Sequence, residues 1–198
     1  MTGLSIRRAT TRQDFAHAKT LINTYHSYIR YADRPSRKLY WLLYQHDTAV
    51  GVFALGSAFA RPAAVATFMQ THALQFNEVA NNIVYCLAPH ETPNLGTQFL
   101  ARCRRDAISW WNERYEDRLK AFQTFILPPR TGAMYKADNW TLLGATTGGH
   151  TWTVRTIRES ERETYPQAER RVFRSGDIRY LLRTWTTTDR KLIFMRLA

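Results

Sequence analysis

Apolar residues at Phe15, Ala18, Ile22, Tyr25 and Ile29 recur every three to four positions and predict one amphipathic helix. Thr11 and Asp14, just ahead of it, have the spacing of a capping box. Leu4 to Arg8 reads as a short first strand. Leu39–Gln45 and Val50–Ser57 are dense in aromatic and aliphatic residues, and His46-Asp47-Thr48 between them predicts a hairpin. Residues 58–80 are ambiguous, with some helix. Asn82–Ala88 is a candidate buried strand ended by Pro89. Leu100, Cys103, Ala107, Trp111 and Tyr115 then mark a long helix over about Gly96–Leu119. Ala121–Leu127 predicts a strand closed by Pro128-Pro129, and a short helix follows over Thr131–Ala137. Residues 151–157 and 190–197 read as strands joined by a polar, arginine-rich connection.

This alternation predicts an α/β fold, a mixed central sheet flanked by helices. Nothing in the 198 residues marks a linker, so the reading is one domain over 1–198. Residues 151–198 are taken as a basic C-terminal extension of the sheet.

Charge changes the picture. The formal net charge is +12, from 28 Lys and Arg against 16 Asp and Glu. It is +6 over residues 1–40, −2 over 41–100, +3 over 101–150 and +5 over 151–198. An almost uncharged centre overlaid by basic segments favours a polyanionic partner, and nucleic acid before membrane. The longest apolar stretch, Ala49–Ala60, falls short of the roughly 18 to 20 residues that span a bilayer. With no signal-peptide pattern and only Cys86 and Cys103, the chain reads as a cytoplasmic protein rather than a secreted disulfide scaffold. Six scattered histidines at no ligand spacing predict no metal site.

Three segments carry candidate chemistry. Asn94-Leu95-Gly96-Thr97 lies between a strand and the long helix, where free backbone N–H groups can hold phosphate; an ordinary helix start is the alternative. In Gly132–Trp140, Tyr135 can donate a proton to a leaving group, or it can simply pack with Trp140. His26, in Tyr25-His26-Ser27-Tyr28, precedes the basic loop Arg30, Arg34, Arg37 and Lys38. That loop and Arg102-Cys103-Arg104-Arg105 suit a DNA surface, because guanidinium groups bind phosphate bidentately.

The Asn94–Thr97 turn before a long helix, with the later Tyr135…Asn139-Trp140…Gly144 element, resembles the GNAT acyltransferase superfamily. Within it the chain is similar to the Mom family of phage DNA-adenine-modifying proteins. The carrying residues are Tyr25-His26-Ser27-Tyr28, the helix start at Asn94, Gln123-Thr124-Phe125 and the Gly132-to-Gly144 motif. That last motif is also similar to a domain of the Druantia anti-phage systems. The resemblance implies a GNAT-like fold and a transferase that adds a carbamoylmethyl or acyl-type group to adenine N6, protecting phage DNA from restriction. It implies Tyr135 and His26 as catalytic residues, and Asn94, Leu95, Gly96 and Thr97 against acetyl-CoA or a related acyl donor. Double-stranded DNA is the expected partner, contacted by Arg30, Arg34, Arg37, Lys38, Arg105, Arg130 and Asn139. Members often carry an Asp soon after their Thr-Phe. Here Ile126-Leu127-Pro128-Pro129 follows, which counts against the iron considered for such proteins. The rival readings are a non-catalytic basic DNA-binding protein in a phage or defence complex, and an acetyltransferase acting on a protein or small molecule. Oligomeric state is left open, a homodimer among the options.

Overall fold

β2 is apolar almost without interruption, and both of its faces are covered. In the computed structural model, which describes residues 3–27, 29, 31, 37–173 and 176–198 (backbone alone at 150–153 and 185–186), it spans Lys38–Gln45. Leu39, Trp41 and Leu43 point into one core; Tyr40, Leu42 and Tyr44 point into another. A strand buried on both faces needs no polar alternation, hence its continuous apolar run. Around it lie β1 (Leu4–Arg8), β3 (Thr48–Ser57), β4 (Val79–Leu87), β5 (Ala121–Ile126), β6 (Thr141–Ala145) and β10 (Leu192–Leu197). These form a seven-stranded sheet in the order β1-β2-β3-β4-β5-β10-β6. Every neighbouring pair is antiparallel except β4 and β5.

Helix α1 (Arg12–Tyr25) covers one face with Ala18, Leu21 and Ile22. The capping box forms as its spacing predicts: Thr11 accepts from the Asp14 amide, and Asp14 accepts from the Thr11 amide. The helix stops at Tyr25, short of Ile29, because the His26 backbone turns extended and its ring Nδ1 accepts the Ile29 N–H at 3.1 Å. Helix α2 (Ala63–Thr71) resolves the ambiguous stretch and buries Val65 and Met69 on the same face, beside β5 and β10. Helix α3 (Leu95–Tyr115) covers the opposite face with Leu100, Cys103, Ala107 and Trp111, and the short α4 (Ala133–Ala137) packs Tyr135 into that core.

Arg8 ties the sheet to α3. Its guanidinium donates twice to Asp106, at 2.8 and 2.7 Å, and Trp41 Nε1 donates to the same carboxylate at 2.7 Å. The Arg8 bonds hold the Asp106 carboxyl below its ordinary range; partial burial opposes them and the Trp41 bond adds to them. A depressed carboxyl stabilises the fold above its unfolded-state pKa and gives that stabilisation up as pH falls through the folded-state value. Asp106→Asn is therefore expected to be less stable than wild type at pH 7. The two melting temperatures should converge as the pH falls below the carboxylate range, and a constant gap across pH would contradict this.

The chain divides into two compact units, Met1–Thr146 with Leu192–Ala198, and Thr147–Lys191. The expected extension of the central sheet over 151–198 is thus realised by β10 alone. Residues 149–188 instead make their own antiparallel sheet, β7 (Gly149–Ile157), β8 (Glu169–Val172) and β9 (Ile178–Thr188), in the order β7-β9-β8. The supposed polar connection contains β8 and β9. Among the described residues of this unit only Ile157, Tyr180 and Leu182 are buried hydrophobics, so its strands carry a weak apolar signal.

Candidate active site between the splayed strands

β4 and β5 pair only over Val79–Asn82 with Ala121–Thr124. Beyond that point β4 runs on to Leu87 and β5 to Ile126 without pairing, so the two strands open a slot in the sheet. A bulge fixes where the opening begins. On its other edge β4 pairs with β3, and the register passes from Asn82 opposite Leu55 to Val84 opposite Ala54, leaving Ile83 unpaired. The buried Asn82 amide occupies the bulge, donating to Ala54 O at 2.9 Å and Val84 O at 2.7 Å. Two carbonyls therefore hold its NH₂, and Oδ1 points away from them.

That oxygen accepts the hydroxyl of Tyr135 at 2.5 Å. The Tyr135 ring is buried edge-on to Trp140 and stacked on Phe194. Gly132 starts this turn at φ +71°, and a Cβ there would come within 2.5 Å of the Phe194 ring; only glycine fits. A cavity of about 470 Å³ fills the slot, a size typical of small-molecule sites. Tyr135 and Asn82 line it from one side, His26 and Phe125 from the other, and exposed Arg130 also contributes. Cys86 lines it as well, but burial pushes its thiol up to about 12, which removes it as a nucleophile near neutral pH.

The segment 94–97 opens α3, with Asn94 in the left-handed region at φ 56°. Leu95 is buried in the core, so only its backbone can meet a ligand. Gly96 sits against Tyr85 and Met134, both of which line the cavity; Tyr85 donates its hydroxyl to Gly96 O at 2.7 Å. Burial raises the Tyr85 phenol well above its ordinary value and keeps it a donor. The helix start therefore adjoins the cavity, and its first-turn amides lie beyond the reach of intrahelical acceptors.

The residues expected at DNA are dispersed. Arg30 and Arg34 lie outside the described residues, as does Tyr28. Arg37 is already engaged: it pairs with Asp117 and stacks over Trp111 and Tyr115 at 5.0 and 4.6 Å. Lys38 begins β2, half-buried, and Arg105 is exposed on α3. Its neighbour Arg104 is buried and paired with Asp138 at 2.9 Å, so the arginine run presents Arg102 and Arg105 only. Asn139 closes the turn after α4 at φ 57°, a conformation Asn tolerates well, and it does not line the cavity. Asn82 was missed as a site residue. The available signal was a polar pair, Asn81-Asn82, inside an otherwise apolar strand. Among the described residues no group of three His, Cys, Asp or Glu side chains is placed to hold a metal.

Solved structures with a similar fold exist at very low identity. The ribosomal-protein-S18-alanine N-acetyltransferase of Escherichia coli aligns over 98% of this chain and 93% of its own, at 11% identity and a TM-score of 0.51. An N-acyl amino acid synthase from uncultured soil microbes aligns over 98% and 89%, at 10% identity and 0.52. A Bacillus subtilis acetyltransferase in complex with CoA aligns over 98% and 99%, at 9% identity and 0.52. The fold is that of the GNAT acyltransferases. At such identities the GNAT likeness is one of architecture. No family model and no curated protein matches the sequence. No helix is long and apolar enough to cross a membrane among the described residues.

Proposed function

We propose that this protein is a GNAT-fold transferase that modifies adenine N6 in double-stranded DNA, as the Mom resemblance implies. The observation that carries the reading is the slot between β4 and β5, with the Tyr135 hydroxyl on one side and His26 on the other. A net charge of +12 and exposed Arg102, Arg105 and Arg130 supply the electrostatics for a phosphate-rich partner.

The residues present fit an acyl-CoA donor. The unpaired edges of β4 and β5 offer backbone N–H and C=O groups along the slot, and the amides of Gly96 and Thr97 at the α3 start suit a pyrophosphate. Bound there, a thioester supplies an activated acyl carbon. The chain's own task is positioning and proton handling, because adenine N6 is a poor nucleophile with its lone pair delocalised into the ring. Tyr135 stands as the proton donor toward the thiolate that leaves when the C–S bond breaks and the N6–C bond forms, and the proton that N6 gives up restores the Tyr135 hydroxyl. His26 accepts the Ile29 amide on Nδ1, so its neutral ring carries the proton on Nε2. In that tautomer it orients an acceptor by donating to it and does not remove the N6 proton.

One observation favours a second reading, DNA binding without catalysis: the Tyr135 proton is committed to an Asn82 oxygen whose amide cannot turn. Mass spectrometry of nucleosides from plasmid DNA, after expression in bacteria, separates the two. A new adenosine species absent from the empty-vector control is the expected result, and its mass names the group added. A clean profile together with salt-dependent DNA binding selects the second reading.

A further inference from the structure

Gln123 is a fully buried glutamine in the middle of β5. Its amide makes a pair of bonds to one residue of a loop: it accepts the Phe59 N–H at 2.5 Å and donates to Phe59 O at 3.1 Å. Burying an amide is costly unless it is satisfied, and here the satisfaction is spent on fixing that loop. The side chain so fixed is 45% exposed, although the neighbouring Ala58 is buried. Phe59 meets Phe125 edge-on with centroids 5.8 Å apart, and Phe125 lines the cavity on the side of His26 and Tyr25. The Arg61 guanidinium lies 5.9 Å from the Phe59 ring. An aromatic ring pinned at the backbone, partly exposed to solvent, with a cation over it and the cavity wall beside it is suited to a flat, electron-rich ring.

We propose that Phe59 and Phe125 form a stacking subsite for a nucleobase at the end of the cavity opposite Tyr135. This deepens the reading of the cavity as an adenine-modifying site and rests on it for the choice of base. Tyr135 packs into the core on the α4 side of the sheet, whereas Phe125, which Phe59 meets edge-on, packs with the cluster on the α2 side. A base held at Phe59 would approach the slot from the face away from the α3 start, leaving the two ends for two different ligands.

The test is equilibrium binding of a fluorescein-labelled single-stranded oligo(dA) 12-mer to the full chain across a series of salt concentrations. Phe59→Ala is expected to weaken binding by about 5- to 150-fold, the effect of removing one base–aromatic stack. The dependence on log salt should keep its slope, because no phosphate contact is lost. Phe59→Trp, which retains a stacking face, should bind at least as well as wild type. Unchanged affinity in Phe59→Ala, a loss that comes with a flatter salt slope, or a wild type that does not bind would each overturn the proposal. The nucleoside profile is independent of this assay. Adenine modification with Phe59-independent binding sinks the subsite alone, and Phe59-dependent binding with a clean profile sinks the modification alone.

Discussion

Tyr135→Phe is expected to lower the yield of modified adenosine by about 100-fold or more while leaving duplex DNA affinity within about twofold. The substitution keeps the ring that packs on Trp140 and Phe194 and removes only the hydroxyl. It also leaves Asn82 Oδ1 without its donor in a buried site, so a loss of about 1–3 kcal/mol of stability should accompany it. Nucleoside mass spectrometry reads the first quantity, a binding isotherm at fixed salt the second, and a denaturant titration the third. Equal losses of modification and DNA affinity would assign Tyr135 to binding or folding rather than to proton transfer. Asn82→Ala offers a cross-check. If Asn82 acts by holding the hydroxyl, that variant should lose modification too, although its own side chain donates to nothing but two backbone carbonyls.

Asp138→Ala is expected to cost about 3–5 kcal/mol, a large share of the roughly 5–15 kcal/mol that stabilises an ordinary domain. The Asp138 carboxylate accepts from Arg104 Nε at 2.9 Å, from a second Arg104 nitrogen at 3.2 Å and from Trp140 Nε1 at 2.9 Å. Both members of the ion pair have side chains only 8% exposed, so truncating the acid strands a guanidinium in the core. A double replacement, Arg104→Met with Asp138→Leu, should recover much of the loss, since removing both charges leaves only the Trp140 N–H without its partner. Urea unfolding midpoints at constant slope would measure this. If the double variant is no more stable than Asp138→Ala, the cost lies in packing and not in the stranded charge.

These two predictions turn on residues of very different visibility in the sequence. Tyr135 stands in a motif that could be named, and α1, the β2–β3 hairpin, β4, α3 and β5 announce themselves through largely apolar runs or helical spacing. Arg104 looked like one arginine of a surface run, because linear spacing does not reveal that one member of an RCRR run faces inward to an acid more than thirty residues away. Arg37 misled for the same reason: its partners Asp117, Trp111 and Tyr115 lie on the far end of α3 and just beyond it. β8 and β9 went unread because the described part of this three-stranded sheet buries few apolar side chains, Ile157, Tyr180 and Leu182 among them. Asn82 and Gln123 are the instructive cases. Each belongs to a polar pair, Asn81-Asn82 or Gln123-Thr124, within a strand otherwise apolar, and each spends its amide on backbone groups that regular pairing leaves unmet. Polar interruptions of buried strands deserve to be read as candidate joints of a site, since burial would select against them without such a use.

The strand β10 lies between β5 and β6 in the sheet, yet it follows both in sequence by way of the whole of residues 147–191. Until Leu192–Leu197 have been made, β5 has no neighbour on that side, and the pockets that Phe194 and Met195 fill in the core stay open. A chain emerging from the ribosome therefore carries an unsatisfied apolar strand edge for as long as the second unit takes to synthesise. Tyr135 can take its place beside the slot only after that late insertion, because its ring stacks on Phe194. Assembly of the candidate active site is thus the last event in the life of the nascent sheet, a natural point at which a chaperone or a truncation would decide its fate.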